Sequence, residues 1–286
     1  MNIVFGGERG SFGELAAMAF FGPKRLIKGV EDHAAVFKAV ASGNADRGVV
    51  PIENSLAGSI HQNYDSLLES GCVIVGEILL RVSQCLIANP GVAKRDVRTV
   101  YSHPAALSQC TRFLKTLPRA TVAAVSNTAG AVKQIKQDRS TDGAAIASRQ
   151  AAIDFDMHIL ARNIEDEKDN ITRFIIISKK PVKPVKGAAP RKTSIVFSAR
   201  NIPGALSKCL NIFALCDINL FKIESRPVRG TRFNYLFYLD FNGDARNVVV
   251  KKALKNLQNL TTFYRNFGSY PVGREVKPAC LKRLHT

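Results

Sequence analysis

The chain predicts a two-part fold. A larger α/β part with mostly parallel strands comes first, and a smaller part of order βαββαβ follows. Three observations carry this. Short apolar runs alternate with helix-length segments over the first 178 residues. A stretch at 179–192 with three prolines and six basic residues can bury nothing and reads as a linker. Beyond it the alternation changes to strand, helix, strand, strand, helix, strand.

The elements follow in order. Ile3 to Phe5 reads as a strand, Phe12 to Phe21 as a helix, Arg25 to Lys28 as a strand, and Asp32 to Ala41 as a helix. Gly48 to Ile52 is a strand, and residues 59–70 are helical with Leu67 and Leu68 on the core side. Extended runs at Val73–Leu80 and Val82–Ala88 flank a break near 77–82 that divides the region into two lobes. Strand Val97–Tyr101, helix Pro104–Thr116, strand Thr121–Val125, helix Thr128–Gln137, strand Gly143–Ala147 and a short helix at 149–154 build the second lobe. The chain returns after about residue 165 to a buried strand at 174–178. Such a pattern places a ligand between the lobes, at the C-terminal ends of strands. In the smaller part the strands are Thr193–Ala199, Ile218–Ser225, Arg232–Phe241 and Thr261–Phe267, and the helices are Gly204–Leu215 and Ala245–Asn259. That order gives a ferredoxin-like sandwich. The basic tail after Val272 reads as poorly ordered.

Composition excludes several classes. At 286 residues the chain can bury two cores. No apolar run approaches a membrane span, and the start, Met1-Asn2-Ile3-Val4-Phe5, lacks the basic flank and apolar core of a signal peptide, which predicts a cytoplasmic protein. Cysteines at 72, 85, 110, 209, 216 and 280 form no Cys-x-x-Cys pair and read as free thiols, and the five histidines lack metal-ligand spacing. The net charge of +18 is spread along the chain without an aromatic-interleaved basic stripe. It points to solubility or to the attraction of anionic substrates rather than to nucleic acid.

Polar clusters gather at strand ends. Gly6-Gly7-Glu8-Arg9-Gly10-Ser11-Phe12 joins the first strand to the first helix. Ser11 is placed as an N-cap beside amides that can meet an anion, or the loop is a tight turn and nothing more. Glu53-Asn54-Ser55 follows a strand with a carboxylate, an amide and a hydroxyl in succession, for a site or for a turn cap. Ser102-His103-Pro104, with Gln109 downstream, opens a helix, so Ser102 and His103 either bind ligand or start that helix. Asn127 and Thr128, and Ala147-Ser148, also open helices. Asp169-Asn170-Ile171-Thr172-Arg173-Phe174 sets a hydroxyl and a guanidinium at the mouth of a buried strand, which suits an anionic substrate. Arg173 is either a carboxylate clamp or, by strand alternation, turned to the face away from Thr172.

Taken together, Val49-Val50-Pro51-Ile52-Glu53-Asn54-Ser55-Leu56-Ala57-Gly58-Ser59-Ile60, Ser102-His103-Pro104 with Gln109-Cys110, Thr172-Arg173-Phe174, Gly204-Ala205-Leu206 and Glu224-Ser225-Arg226-Pro227 resemble prephenate dehydratase, in this order, over residues 1–272. The resemblance implies a periplasmic-binding-protein-like catalytic region of two lobes at 1–178, the linker, an ACT regulatory domain at 193–272 and a tail at 273–286. It implies conversion of prephenate to phenylpyruvate without metal or organic cofactor. Thr172, Arg173, Glu53, Asn54 and Ser55 would be catalytic. Ser11, Ser102, His103, Gln109, Asn127, Thr128 and Phe174 would bind substrate. L-Phenylalanine would bind at Gly204, Ala205, Leu206, Glu224, Ser225, Arg226 and Pro227 and inhibit, and ACT domains would join chains into a homodimer or homotetramer. Arogenate dehydratase shares the architecture and stays open, as does a non-catalytic two-lobed binder with a sensor domain.

Overall fold

The computed structural model describes residues 1–182, 190–228 and 234–277. Contacts divide them into two compact units, and neither is contiguous in sequence. One holds Met1–Ser70, Ile78–Ile176 and the residues from Arg274 onward; the other holds Gly71–Glu77 and Ile177–Gly273.

The first unit is two-lobed. One lobe is built on a seven-stranded sheet in the order Glu275–Val276, Val73–Arg81, Ile171–Ser178, Arg47–Asn54, Ile3–Gly6, Ile27–Val30, with Gly58–Ser59 paired to Arg47–Asn54. Ile3–Gly6 runs parallel to both its neighbours, so their C-terminal ends open on one edge. Val49, Val50 and Ile52 are buried in succession, as a strand covered on both faces requires. The other lobe is a five-stranded sheet in the order His158–Arg162, Cys85–Ala88, Gly143–Ala147, Thr99–Ser102, Thr121–Ala124. Its last three strands are parallel. The alanines of Gly143–Ala147 let helix Thr128–Gln137 pack closely through Ala131, Val132 and Ile135.

Two connections join the lobes, and they are bonded to each other. The Val82 amide donates to the Asn170 carbonyl (2.8 Å), Ser83 Oγ to Asn163 Oδ1 (2.8 Å), and the Gln84 amide to Glu165 Oε2 (2.9 Å).

The second unit carries a four-stranded antiparallel sheet in the order Leu220–Pro227, Tyr235–Asn242, Arg191–Ala199, Thr261–Pro271. Helices Ala205–Leu215 and Val248–Leu260 cover it. Phe213 and Phe241 meet at 5.0 Å between ring centroids in a core with Ile195, Phe197, Leu239 and Leu257. This is the ferredoxin-like arrangement.

Four readings of the sequence need correction. The helix placed at 104–116 is two short ones, Pro104–Ser108 and Thr111–Leu114. Asp166 accepts from the Thr111 and Arg112 amides and restarts the helix there. A strand at His158–Arg162 was not anticipated. Arg191 and Lys192, assigned to the linker, begin a strand, and the Lys192 ammonium is buried 2.8 Å from Glu77. Glu275 and Val276, assigned to the tail, pair with Leu79 and Leu80 because that strand otherwise has an open edge. The readings on 183–189, 229–233 and 278–286 lie outside the described residues. Among the described residues no helix is long and apolar enough to cross a membrane.

Candidate active site

Asn54 and Thr172 lie on neighbouring strands, at their cleft ends. The Asn54 amide Nδ2 donates to Thr172 Oγ1 (3.0 Å) and to Asn170 Oδ1 (2.6 Å), with the Ile171 carbonyl at 3.3 Å. Asn54 Oδ1 accepts from the Leu56 and Ala57 amides and so fixes the turn after its own strand. Asn170 is fully buried and passes the chain on, donating to Gln109 Oε1 at 2.8 Å. Gln109 belongs to the second lobe. A line of side-chain amides thus runs Gln109–Asn170–Asn54 and ends on the Thr172 hydroxyl. Thr172 Oγ1 accepts from Asn54, and its own proton has no acceptor among the described residues. A hydroxyl held this way is a directed donor.

Ser55 locks the turn. Its Oγ donates to the Asp169 carbonyl (3.0 Å) and accepts the Ile171 amide (2.9 Å). Glu53 and Arg173 meet at 3.5 Å. Strand alternation separates this pair from Asn54 and Thr172, so the guanidinium and carboxylate engage each other on the other face. Phe174 is core, only 3% exposed.

The remaining candidates divide between structure and cleft. Ser102 is fully buried and its hydroxyl donates to the Ile146 carbonyl at 2.6 Å, which ties two strands together and removes it as a substrate donor. His103 caps the helix at Pro104, its Nδ1 accepting the Ala105 amide (3.1 Å). Ser11 caps helix Phe12–Phe21, but Glu14 accepts the Gly10 amide at 2.6 Å, so that donor is not open to a ligand. Asn127 caps the helix that starts at Thr128, and lines a cavity of about 360 Å³ with Gly7, Arg9 and Glu31. In the second unit Gly204 caps helix Ala205–Leu215 at φ 74°, and Leu206 lines a groove with Leu210, Ile218 and Leu220. Glu224 pairs with Lys222 at 3.4 Å, and Glu224 to Pro227 form the end of strand Leu220–Pro227.

Several groups that position the site escape a sequence reading. Asn170 sits in a loop rich in turn formers, so its role as the link between Gln109 and Asn54 leaves no local signal. Glu8 and Lys133 pair across the lobes at 2.9 Å, and Ser148 Oγ donates to the Gly10 carbonyl (2.5 Å). His33 packs on the end of the first strand, where a Cβ on Gly6 would come within 2.6 Å of its ring. Asn63 Nδ2 donates to His33 Nδ1 (3.3 Å) and to the Pro51 carbonyl (2.6 Å), which leaves the proton of the neutral ring on Nε2. Burial lowers the pKa of His33; the Asp32 charge opposes this and the His103 charge adds to it. His103 is likewise lowered by burial. Burial pushes the Cys110 thiol up to about 12, with the Asp166 and Glu165 charges adding, so it is no thiolate. Among the described residues no group of three His, Cys, Asp or Glu could hold a metal ion.

Residues 3–182 match the family model described as prephenate dehydratase. The chain is 44% identical over 281 residues to arogenate dehydratase/prephenate dehydratase 2, chloroplastic, of Arabidopsis thaliana, covering 95% of this chain and 73% of that protein. A solved prephenate dehydratase from Arthrobacter aurescens, in complex with L-Phe, superposes with TM-score 0.87 at 31% identity, covering 95% of this chain and 90% of that one. A solved protein named GqqA, described as a novel type of quorum quenching acylase, gives TM-score 0.86 at 31% identity, covering 95% and 98%.

Proposed function

Because the chain belongs to the prephenate dehydratase family, we propose that it performs the decarboxylating dehydration of prephenate to phenylpyruvate. The ring carboxylate leaves as carbon dioxide, its bonding pair enters the ring, and the ring hydroxyl departs with its own bonding pair and takes up one proton to leave as water, that proton being made good from solvent. Aromatisation drives the step, so the protein has to orient the substrate and assist the leaving oxygen.

One observation carries the reading: the Thr172 hydroxyl, fixed from behind by Asn54, keeps its proton for the departing oxygen. The amide line from Gln109 sets that position from the second lobe. Arg173, Glu53 and Ser55 then act as positioning residues rather than substrate contacts, since their polar atoms hold the strand ends.

Arogenate is the competing substrate, because the name of the Arabidopsis relative carries both activities. The two substrates differ only in a keto or amino group on the side chain, far from the bonds that break. Purified protein should convert prephenate to phenylpyruvate, read as absorbance in alkali, with arogenate assayed in parallel. Turnover of arogenate alone would transfer the assignment to the amino substrate, and binding of prephenate without turnover would make the protein a binder. Acyl transfer is not favoured by the geometry, since an amide donating to Thr172 Oγ1 weakens that oxygen as a nucleophile.

The smaller unit is proposed as an ACT domain that binds L-phenylalanine near Gly204–Leu206 and joins chains as a dimer or tetramer. The Arthrobacter relative with L-Phe supports the ligand. Calorimetry with L-phenylalanine and sedimentation in its presence test both parts. The proposed location is the cytoplasm.

A further inference from the structure

A cavity of about 470 Å³ at the lobe connections is unlike the Thr172 cluster and shares no residue with it. Its walls bear five cations, Arg81, Arg149, Arg162, Lys168 and Lys277, and one carboxylate, Glu165. None of the five cations has a carboxylate partner among the described residues. They come from both lobes and from the segments that join them.

Two buried atoms there lack partners. Arg81 Nε has no acceptor and Glu165 Oε1 has no donor. Glu165 is 8% exposed, and its other oxygen already accepts the Gln84 amide. A buried carboxylate oxygen and a buried guanidinium N–H left unsatisfied both cost stability. The two needs are opposite, so a bare anion would satisfy only the arginine. A ligand that presents carboxylates to the cations and a donor to Glu165 satisfies both. The volume is that of a small-molecule site.

We propose that this cavity is a second ligand site, taking a small polycarboxylate that also carries a hydroxyl or ammonium group. Because its walls span both lobes, occupancy would hold the connecting segments in one arrangement.

Citrate, with three carboxylates and a hydroxyl, and tricarballylate, which lacks only the hydroxyl, are the probes. Calorimetry on the full chain at matched ionic strength should give a citrate Kd tighter than about 1 mM. Tricarballylate should bind about tenfold more weakly. Arg149 and Arg162 are exposed at the cavity rim, so the R149Q/R162Q variant should fold, and it should lose citrate binding while its kcat/KM with prephenate is unchanged. Glu165→Gln should bring the two probes to equal affinity. Absence of citrate binding, or equal binding by wild type and R149Q/R162Q, would overturn the site. Equal affinity of the two probes for wild type would overturn the role of Glu165. A parallel loss of citrate binding and kcat/KM would show that this is the substrate site and not a second one. The binding readout does not depend on turnover, so failure here is separable from failure of the proposed reaction.

Discussion

At the scale of single residues the proposed site rests on one hydroxyl and its support. Thr172→Ala should lower kcat by about 100–1000-fold with the fold intact, the loss expected for one transition-state donor, while Thr172→Ser retains much of it. A well-folded alanine variant with normal kcat would refute the role. Asn170→Ala should act differently. It breaks the link from Gln109 Oε1 to Asn54 Nδ2 and opens a gap where a fully buried side chain stood, so stability should fall by about 1–3 kcal/mol in denaturant titration, and activity with it. The imidazoles give a pH signature. His33 and His103 are held below the ordinary value of 6.5, so the folded chain keeps them neutral where the unfolded chain takes up protons. Their contribution to stability is therefore complete above 6.5 and drains as pH falls through the lowered folded values. The thermal midpoint should drop from about pH 7.5 to about pH 5.5, and His33→Gln should flatten the drop. Thr172 and Asn54 stand out in the sequence as polar residues at strand mouths, and it is the resemblance to the family that singles them out as site candidates. It could not show Ser102 spending its hydroxyl on Ile146, since that partner is 44 residues away.

At the scale of elements, strands and helices with a clear apolar period were legible, and elements whose limits depend on distant partners were not. The helix at 104–116 reads as continuous because nothing local breaks it; Asp166, from the lobe connection, divides it. Lys192 looks like linker because lysine rarely lies in a core. Here Glu77 is the partner, itself almost fully buried and also accepting the Gly273 amide. Lys192→Ala would remove the ammonium that faces this buried carboxylate. The expected loss is about 3–5 kcal/mol, measured by chemical denaturation, and Glu77→Gln in the same background should recover part of it. If Lys192→Ala unfolds at the wild-type midpoint, the pair is not buried in solution. The loop at Gly10 shows the same dependence on distance. A Cβ there would lie 2.4 Å from Ala151 Cα, with φ at +77°, so the lobes meet through a residue that only glycine can supply.

At the scale of the whole molecule, the net charge of +18 and the weave of the chain make separate predictions. Attraction of a dianionic substrate by the basic field should make kcat/KM fall as salt rises, and a flat profile would assign the charge to solubility alone. The weave bears on truncation. A linear reading would cut after residue 182 to isolate the catalytic part. Residues 71–77, however, make their contacts with the C-terminal unit. The Ile74 carbonyl would be 2.4 Å from a Cβ on Gly268, Arg265 donates to the Cys72 carbonyl, and Glu77 holds Lys192. The same cut removes Glu275 and Val276, which pair with Leu79 and Leu80 and complete the edge of the first sheet. One strand, Val73–Arg81, would therefore lose support at both its halves. A chain ending at residue 182 should unfold at a lower temperature than the full chain and lose turnover through misplacement of the lobe connection that continues directly from that strand. Scanning calorimetry beside a prephenate assay checks this. A truncated chain with the full melting temperature and kcat would show that the catalytic lobes are independent of the second unit.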